Sequence, residues 1–269
     1  MKKILLATTL LAATTGFAAA EVAVSGSARM GVTYDGLDFA YSSRVRVKFD
    51  LTGETDGGLS FGASVRNDQL GNGGIANGDS TVFISGAFGK LTMGDVSGAA
   101  DALVGQTSGV GYGPNDGAHE IGFLGAEKTA VYYEYSTGAL TFGLGAGQVG
   151  SDDFSVGAKY SADVFAVAIG YEDNGVDNQT SVSGSATFGA ATVKVRASDG
   201  SAFAETAFSV SLDYAMDALV VTAVYTDFGA SDIIGLGAAY DLGGGAAVKA
   251  GILDDGTDTV GDIGITMSF

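Results

Sequence analysis

From Glu21 to the end of the chain, apolar and polar residues alternate with a period of two. Between Glu21 and Tyr34 one phase holds Val22, Val24, Met30, Val32 and Tyr34, and the other Glu21, Ser25, Ser27, Arg29 and Thr33. Between Phe39 and Leu51, Val45, Val47, Phe49 and Leu51 oppose Arg44, Arg46, Lys48 and Asp50; Leu59, Phe61, Ala63 and Val65 then oppose Ser60, Ser64 and Arg66. Period two puts successive side chains on opposite faces of a strand, so each face meets a different medium. The pattern returns near 80–88, 89–96, 128–137, 138–149, 153–162, 163–172, 179–189, 190–198, 203–215, 217–228, 232–241, 244–253 and 258–269. This predicts an all-β chain of sixteen strands, an even number that brings both ends of an up-and-down antiparallel barrel to one rim.

The predicted connections alternate in length. Tight turns such as Thr137-Gly138, Ala162-Asp163, Gly189-Ala190, Met216-Asp217 and Asp241–Gly244 fall at one rim. Longer, acidic links fall at the other: Asn67–Gly78, Asp173–Asn178, Ser198–Ser201 and Asp254–Asp258. A further long link, Ser97 to Leu124, has no two-residue alternation; it carries the sole proline, Pro114, the sole histidine, His119, and the acids Asp101, Asp116 and Glu120. So long an irregular stretch in a compact domain points to function. The expectation is that 97–124 folds into the barrel and narrows it.

Charge placement fits a barrel in lipid; a soluble antiparallel sheet with its polar face outward would show the same alternation, and the signal peptide, strand number and loop asymmetry weigh against it. Arg29, Arg44, Arg46, Lys48, Arg66, Lys159, Lys194, Arg196 and Lys249 all fall on the polar phase. Lys or Arg on a lipid-facing surface costs about 2–4 kcal/mol at the bilayer midplane, so a transmembrane barrel turns these inward. Met1-Lys2-Lys3, the apolar run Ile4–Ala13 and Ala18-Ala19-Ala20 have the anatomy of a cleaved secretory signal peptide, 1–20, ahead of a barrel spanning 21–269. After it, the longest apolar runs reach about eight residues, as in Ala218–Tyr225. That is far below the ~18–20 of a spanning helix, so any membrane crossing is made by strands.

Composition removes several function classes. With 31 Asp and Glu against 13 Lys and Arg the chain is too acidic for nucleic acid. One histidine and no cysteine leave nothing for a triad, a zinc site or thiol chemistry, so no enzyme and no cofactor is expected. Gly71–Gly74 lacks the Lys-Ser/Thr of a phosphate-binding loop. Acidic loops such as Asp254–Asp258 leave calcium as an open expectation without the ordered spacing of a binding loop. The acidic total predicts a mild cation preference, opposed by the basic strand residues.

Two features carry a family resemblance. The segment Gly89-Lys90-Leu91-Thr92-Met93-Gly94-Asp95-Val96-Ser97-Gly98-Ala99-Ala100-Asp101 resembles the fifth strand and third loop of the general diffusion porins of Gram-negative bacteria, most closely the Rhodobacter-type porins of alphaproteobacteria. The chain also ends on an amphipathic strand closed by Phe269, like the signal that hands outer-membrane barrels to their assembly machinery. The resemblance implies a homotrimer in the outer membrane, in contact with lipid and lipopolysaccharide, passing ions and small hydrophilic solutes. It further implies an eyelet in which a basic wall faces an acidic loop. The matching positions are Arg29, Arg44, Arg46 and Arg66 on the wall and Asp101, Asp116 and Glu120 on the loop. Outward residues of the early strands are small or aliphatic (Val22, Val24, Ala28, Ala63), whereas aromatics gather later (Tyr133, Tyr135, Phe142, Phe154, Tyr160). The early strands are therefore expected to face neighbouring subunits. Two alternatives remain at this point: a substrate-specific outer-membrane channel, and a secreted acidic calcium-binding β-roll or adhesin.

Overall fold

The structure is a computed structural model that describes residues 20–70, 74–113, 115–125 and 130–269, with the side chains of 69, 70, 74–79 and 116 outside the description. The expected signal peptide up to residue 19, Pro114 and the Asp116 side chain thus lie outside the described residues. The described residues form sixteen strands. The first five are β1 (Glu21–Tyr34), β2 (Phe39–Glu54), β3 (Ser60–Leu70), β4 (Gly74–Gly86) and β5 (Gly89–Gly94). After the long loop come β6 (Ala130–Thr137), β7 (Leu140–Ala146), β8 (Phe154–Ser161), β9 (Phe165–Asp173), β10 (Asn178–Phe188) and β11 (Ala191–Asp199). The last are β12 (Ala207–Met216), β13 (Leu219–Asp227), β14 (Asp232–Gly243), β15 (Ala246–Asp254) and β16 (Thr259–Ser268).

Each strand pairs antiparallel with its sequence neighbours, and β1 pairs with β16 to close the barrel. Closure removes every sheet edge, so all ladder groups are satisfied without water, as hydrocarbon surroundings demand. The seam ends at the carboxyl terminus, where the Phe269 and Gly26 backbones exchange hydrogen bonds of 2.9 and 3.2 Å. The closed antiparallel barrel rules out the β-roll alternative.

Two predicted links differ. The link expected at Ser198–Ser201 spans 200–206, because Ser198 stays in the ladder opposite Ala207, β11 runs to Asp199 and β12 begins at Ala207. Asn67–Gly78 was expected as a long connection, but β3 runs to Leu70 and β4 resumes at Gly74. The ladder continues past a register shift between Val65 and Asn67. That shift breaks the alternation in the sequence, and a buried Asp68 pairing with arginines on its own and the adjacent strand keeps the segment in the wall.

The apolar phase points outward: Leu144, Val167, Ile169, Leu236 and Ile263 are each about half exposed. The interior is where packing occurs. Ala99, Ala100, Leu103, Val104, Val110, Tyr112 and Ile121, all from the long loop, are buried against the inner wall. A short helix, α1 (Ala99–Val104), lies on β7, β8, β9 and β10. Its seat is floored by glycine: a Cβ at Gly170 would fall 2.6 Å from the Ala100 Cα, and one at Gly157 2.9 Å from the Ala99 carbonyl oxygen. The helix has no capping side chain of its own. Ser155 of the wall supplies the cap, its Oγ accepting the Ala99 N–H at 2.7 Å.

Candidate functional site

Beyond α1 the loop is fastened to the inner wall at three further stations. At the first, Thr107 and Ser209 share a hydroxyl hydrogen bond of 2.7 Å, the Ser108 N–H donates to Ser211 Oγ at 2.9 Å, and the Ser108 hydroxyl donates to Asp213 at 2.5 Å. At the second, the Tyr112 N–H donates to Asp262 Oδ1 at 2.9 Å and the Asn115 amide to the Gly261 carbonyl at 3.2 Å. Here the wall again lacks side chains, since a Cβ at Gly251 would fall 2.6 Å from the Gly111 Cα.

The third station holds the end of the loop. Arg196, 2% exposed, donates to the carbonyls of Ile121 at 2.6 Å and Gly122 at 3.2 Å, and its guanidinium lies 3.7 Å from the centroid of the Phe123 ring. Gln179 donates to the same Gly122 carbonyl at 2.9 Å. Glu172 accepts the N–H groups of Leu124 at 2.8 Å and Gly125 at 3.3 Å. Thr226 donates to the carbonyl of His119, a fully buried loop residue. Gln106 braces the two limbs of the loop by donating to Ile121 at 2.8 Å.

These wall partners of the loop all lie on β8 to β16. The lumen left over lies against the opposite wall, and three of its strands carry the predicted arginines. Arg29 on β1 stands in register with Arg44 on β2, a like-charge cross-strand pair that a solvated sheet avoids. Arg46 binds Asp68 through two bonds of 2.8 and 2.9 Å, and Arg66 reaches the same carboxylate at 3.1 Å. One acid is thus shared by two arginines. Arg29 also lies 5.9 Å from the centroid of the Tyr112 ring, where the loop comes nearest this wall. Of the predicted loop acids, Asp101 is half-buried in α1 and Glu120 is exposed just past a 3-10 turn, Asp116–His119. Both lie in the electrostatic reach of Arg196.

A closed sixteen-strand wall, a loop pinned to one side and a charged lumen on the other are the parts of a pore. Comparison with known proteins agrees with that geometry: residues 7–259 match the Gram-negative porin family. The chain belongs to that family. A porin of Rhodobacter capsulatus is 35% identical across 93% of this chain and 100% of the relative. A porin structure refined at 1.8 Å superimposes with a TM-score of 0.79 at 34% identity, covering 93% of this chain and 100% of the other. An engineered Rhodopseudomonas blastica porin, 24% identical, shares the fold with a TM-score of 0.81 over 93% of this chain and 100% of its own. This porin is accordingly an outer-membrane diffusion channel, in a family of channels.

Several residues that build the pore escaped sequence reasoning. Arg196 reads as one more polar-phase cation, and only the fold shows that it clamps the loop. Glu172 offered a faint signal as a lone acid on the inward phase of its strand. Asp68 was hidden in the expected link. Among the described residues no group of three or more histidines and acids is placed to hold a metal. The Asp254 and Asp255 carboxylates instead accept the amides of Gly256, Thr257 and Asp258 in their own turn.

Proposed function

We propose that small hydrophilic solutes and ions pass between the basic wall of β1 to β3 and the face of the inward loop, driven by their own gradients. Arg29, Arg44, Arg46 and Arg66 form one side of the eyelet, and Asp101 and Glu120 on the loop the other. The observation that carries this reading is the fastening of the loop: the hydrogen bonds described above hold it to β8–β16, and it approaches the arginine wall at Tyr112 and Gly113, beside Arg29. Opposed charges set a field across the opening that orients water and dipolar solutes, so apolar solutes must displace ordered water. The pore works by geometry and charge and performs no covalent chemistry.

Three further assignments belong to this reading. The first twenty residues direct export and are removed, Phe269 serves as the assembly signal, and the working unit is a trimer. The exterior of β1, β2 and β16 supports the last, with an apolar recess of about 520 Å³ lined by Met30, Val32, Tyr41 and Ile265. Purified protein added to planar bilayers tests the whole: the expected result is ohmic steps in groups of three with a mild preference for potassium over chloride. Bilayers that remain insulating overturn the channel, single steps overturn the trimer, and a reversal potential favouring chloride overturns the selectivity.

A further inference from the structure

Between α1 and the rim of tight turns, the inner wall of β8–β11 holds a polar recess of about 230 Å³, away from the arginines of β1–β3. Its floor is made of Ala166 and Ala168, its roof is loop segment 104–106, and Lys159 and Lys194 line it from opposite sides. Lys159 stands on β8 and Lys194 on β11, three strand spacings and two residues of register apart, about 16 Å at the backbone. Two lysine side chains closing on a small ligand span such a gap. Ser185, the cross-strand partner of Lys194, shares its face of the sheet and adds a hydroxyl. Ser183 donates to the Val104 carbonyl at 2.8 Å and so occupies an acceptor that would otherwise face the recess.

The charge balance is unusual for this chain. Acids outnumber bases by more than two to one, yet among the described residues neither lysine has a carboxylate within 4.0 Å. No acid lines the recess. Asp213, diagonal to Lys194 across the β11–β12 ladder, has its oxygens taken by Ser108 and Thr222 at 2.5 and 2.6 Å. Asp101 and Glu172 lie within the electrostatic reach of Arg196. Two half-buried lysines and a hydroxyl over a floor of small residues form a receptor for a compact multivalent anion. The volume falls below the ~300–1,000 Å³ of sites for drug-sized ligands.

We infer that this recess is a binding subsite for small oxyanions with two negative charges, of which inorganic phosphate is the simplest, halting them on their way through the pore. The inference rests on the channel reading for its effect on conductance but not for binding itself. The test measures potassium chloride conductance of single channels as inorganic phosphate is added at constant ionic strength, and, separately, phosphorus NMR line broadening of phosphate by the detergent-solubilised protein. Conductance is expected to fall saturably with phosphate. Lys159→Gln and Lys194→Gln should each weaken the effect and the broadening by about tenfold. Lys249→Gln, a polar-phase lysine outside the recess, should leave both unchanged. Variants are first checked for the heat-modifiable migration of a folded barrel.

Open channels indifferent to phosphate, with no broadening, overturn the subsite and leave the channel standing. The same holds if all three lysine variants weaken the effect alike, which marks a diffuse field. Insulating bilayers overturn the channel, and the broadening series then decides the subsite alone.

Discussion

Replacing Arg196 by alanine removes the clamp at the end of the loop. Two charge-assisted bonds to Ile121 and Gly122 and the stack on Phe123 are lost together, and the buried Glu172 loses its nearest countercharge. A hydrogen bond from a charged donor is worth about 1.5–3 kcal/mol, so losing these two costs about 3–5 kcal/mol. At about 1.4 kcal/mol per factor of ten, this moves the docking equilibrium of 120–125 by two to three and a half orders of magnitude. Gln179 still holds Gly122, and Glu172 still accepts two amides, so the barrel and α1 remain in place while the loop end samples undocked states. Single-channel recording should show flickering between levels, and liposome swelling should admit larger sugars than the wild type. Arg196→Lys restores the charge without the planar fork and should recover only part of the quiet conductance. An Arg196→Ala channel with wild-type noise, conductance and sugar exclusion would refute the clamp.

The other predictions address the seat of the helix, the arginine wall and the rim loops. Gly170→Leu drives a side chain into Ala100 and should cost about 1–3 kcal/mol by overpacking, read as a lower melting temperature and a shifted conductance; unchanged values of both would contradict the close seat. Asp68→Asn strips the shared carboxylate from Arg46 and Arg66 and should move the reversal potential toward chloride, and no shift would mean these groups lie off the ion path. Asp35 and Asp255 accept backbone amides of their own loops, which hold both carboxyls below the usual value of 3.8. Their contribution is fully present above 3.8 and disappears as pH falls through the depressed values. Amide exchange at Leu37, Asp38, Thr257 and Asp258 should therefore stay protected at pH 5 and quicken only under more acid conditions, and quickening at pH 5 would contradict the assignment.

Period two and the phase of the charged residues were enough to place nearly every strand, because in a closed barrel the side-chain period, the register and the two solvents impose one solution. Of the two misplaced links, the one at 67–78 marks where a register shift breaks the period. The irregular character of 97–124 was equally plain, as were its acids and the cations of the early strands.

What the sequence could not state is where the loop goes. Arg196 meets Ile121, Tyr112 meets Asp262 and Ser108 meets Asp213 across separations of 75, 150 and 105 residues, and no local pattern distinguishes these polar residues from others on the same phase. The glycines that floor α1 look in the sequence like weakened strand positions, and become a seat only when the helix lies on them. Alternation is a local consequence of backbone geometry and was therefore written in the chain. The side of the lumen that stays open depends on which distant surfaces fit together, and that was settled only when the barrel closed around its loop.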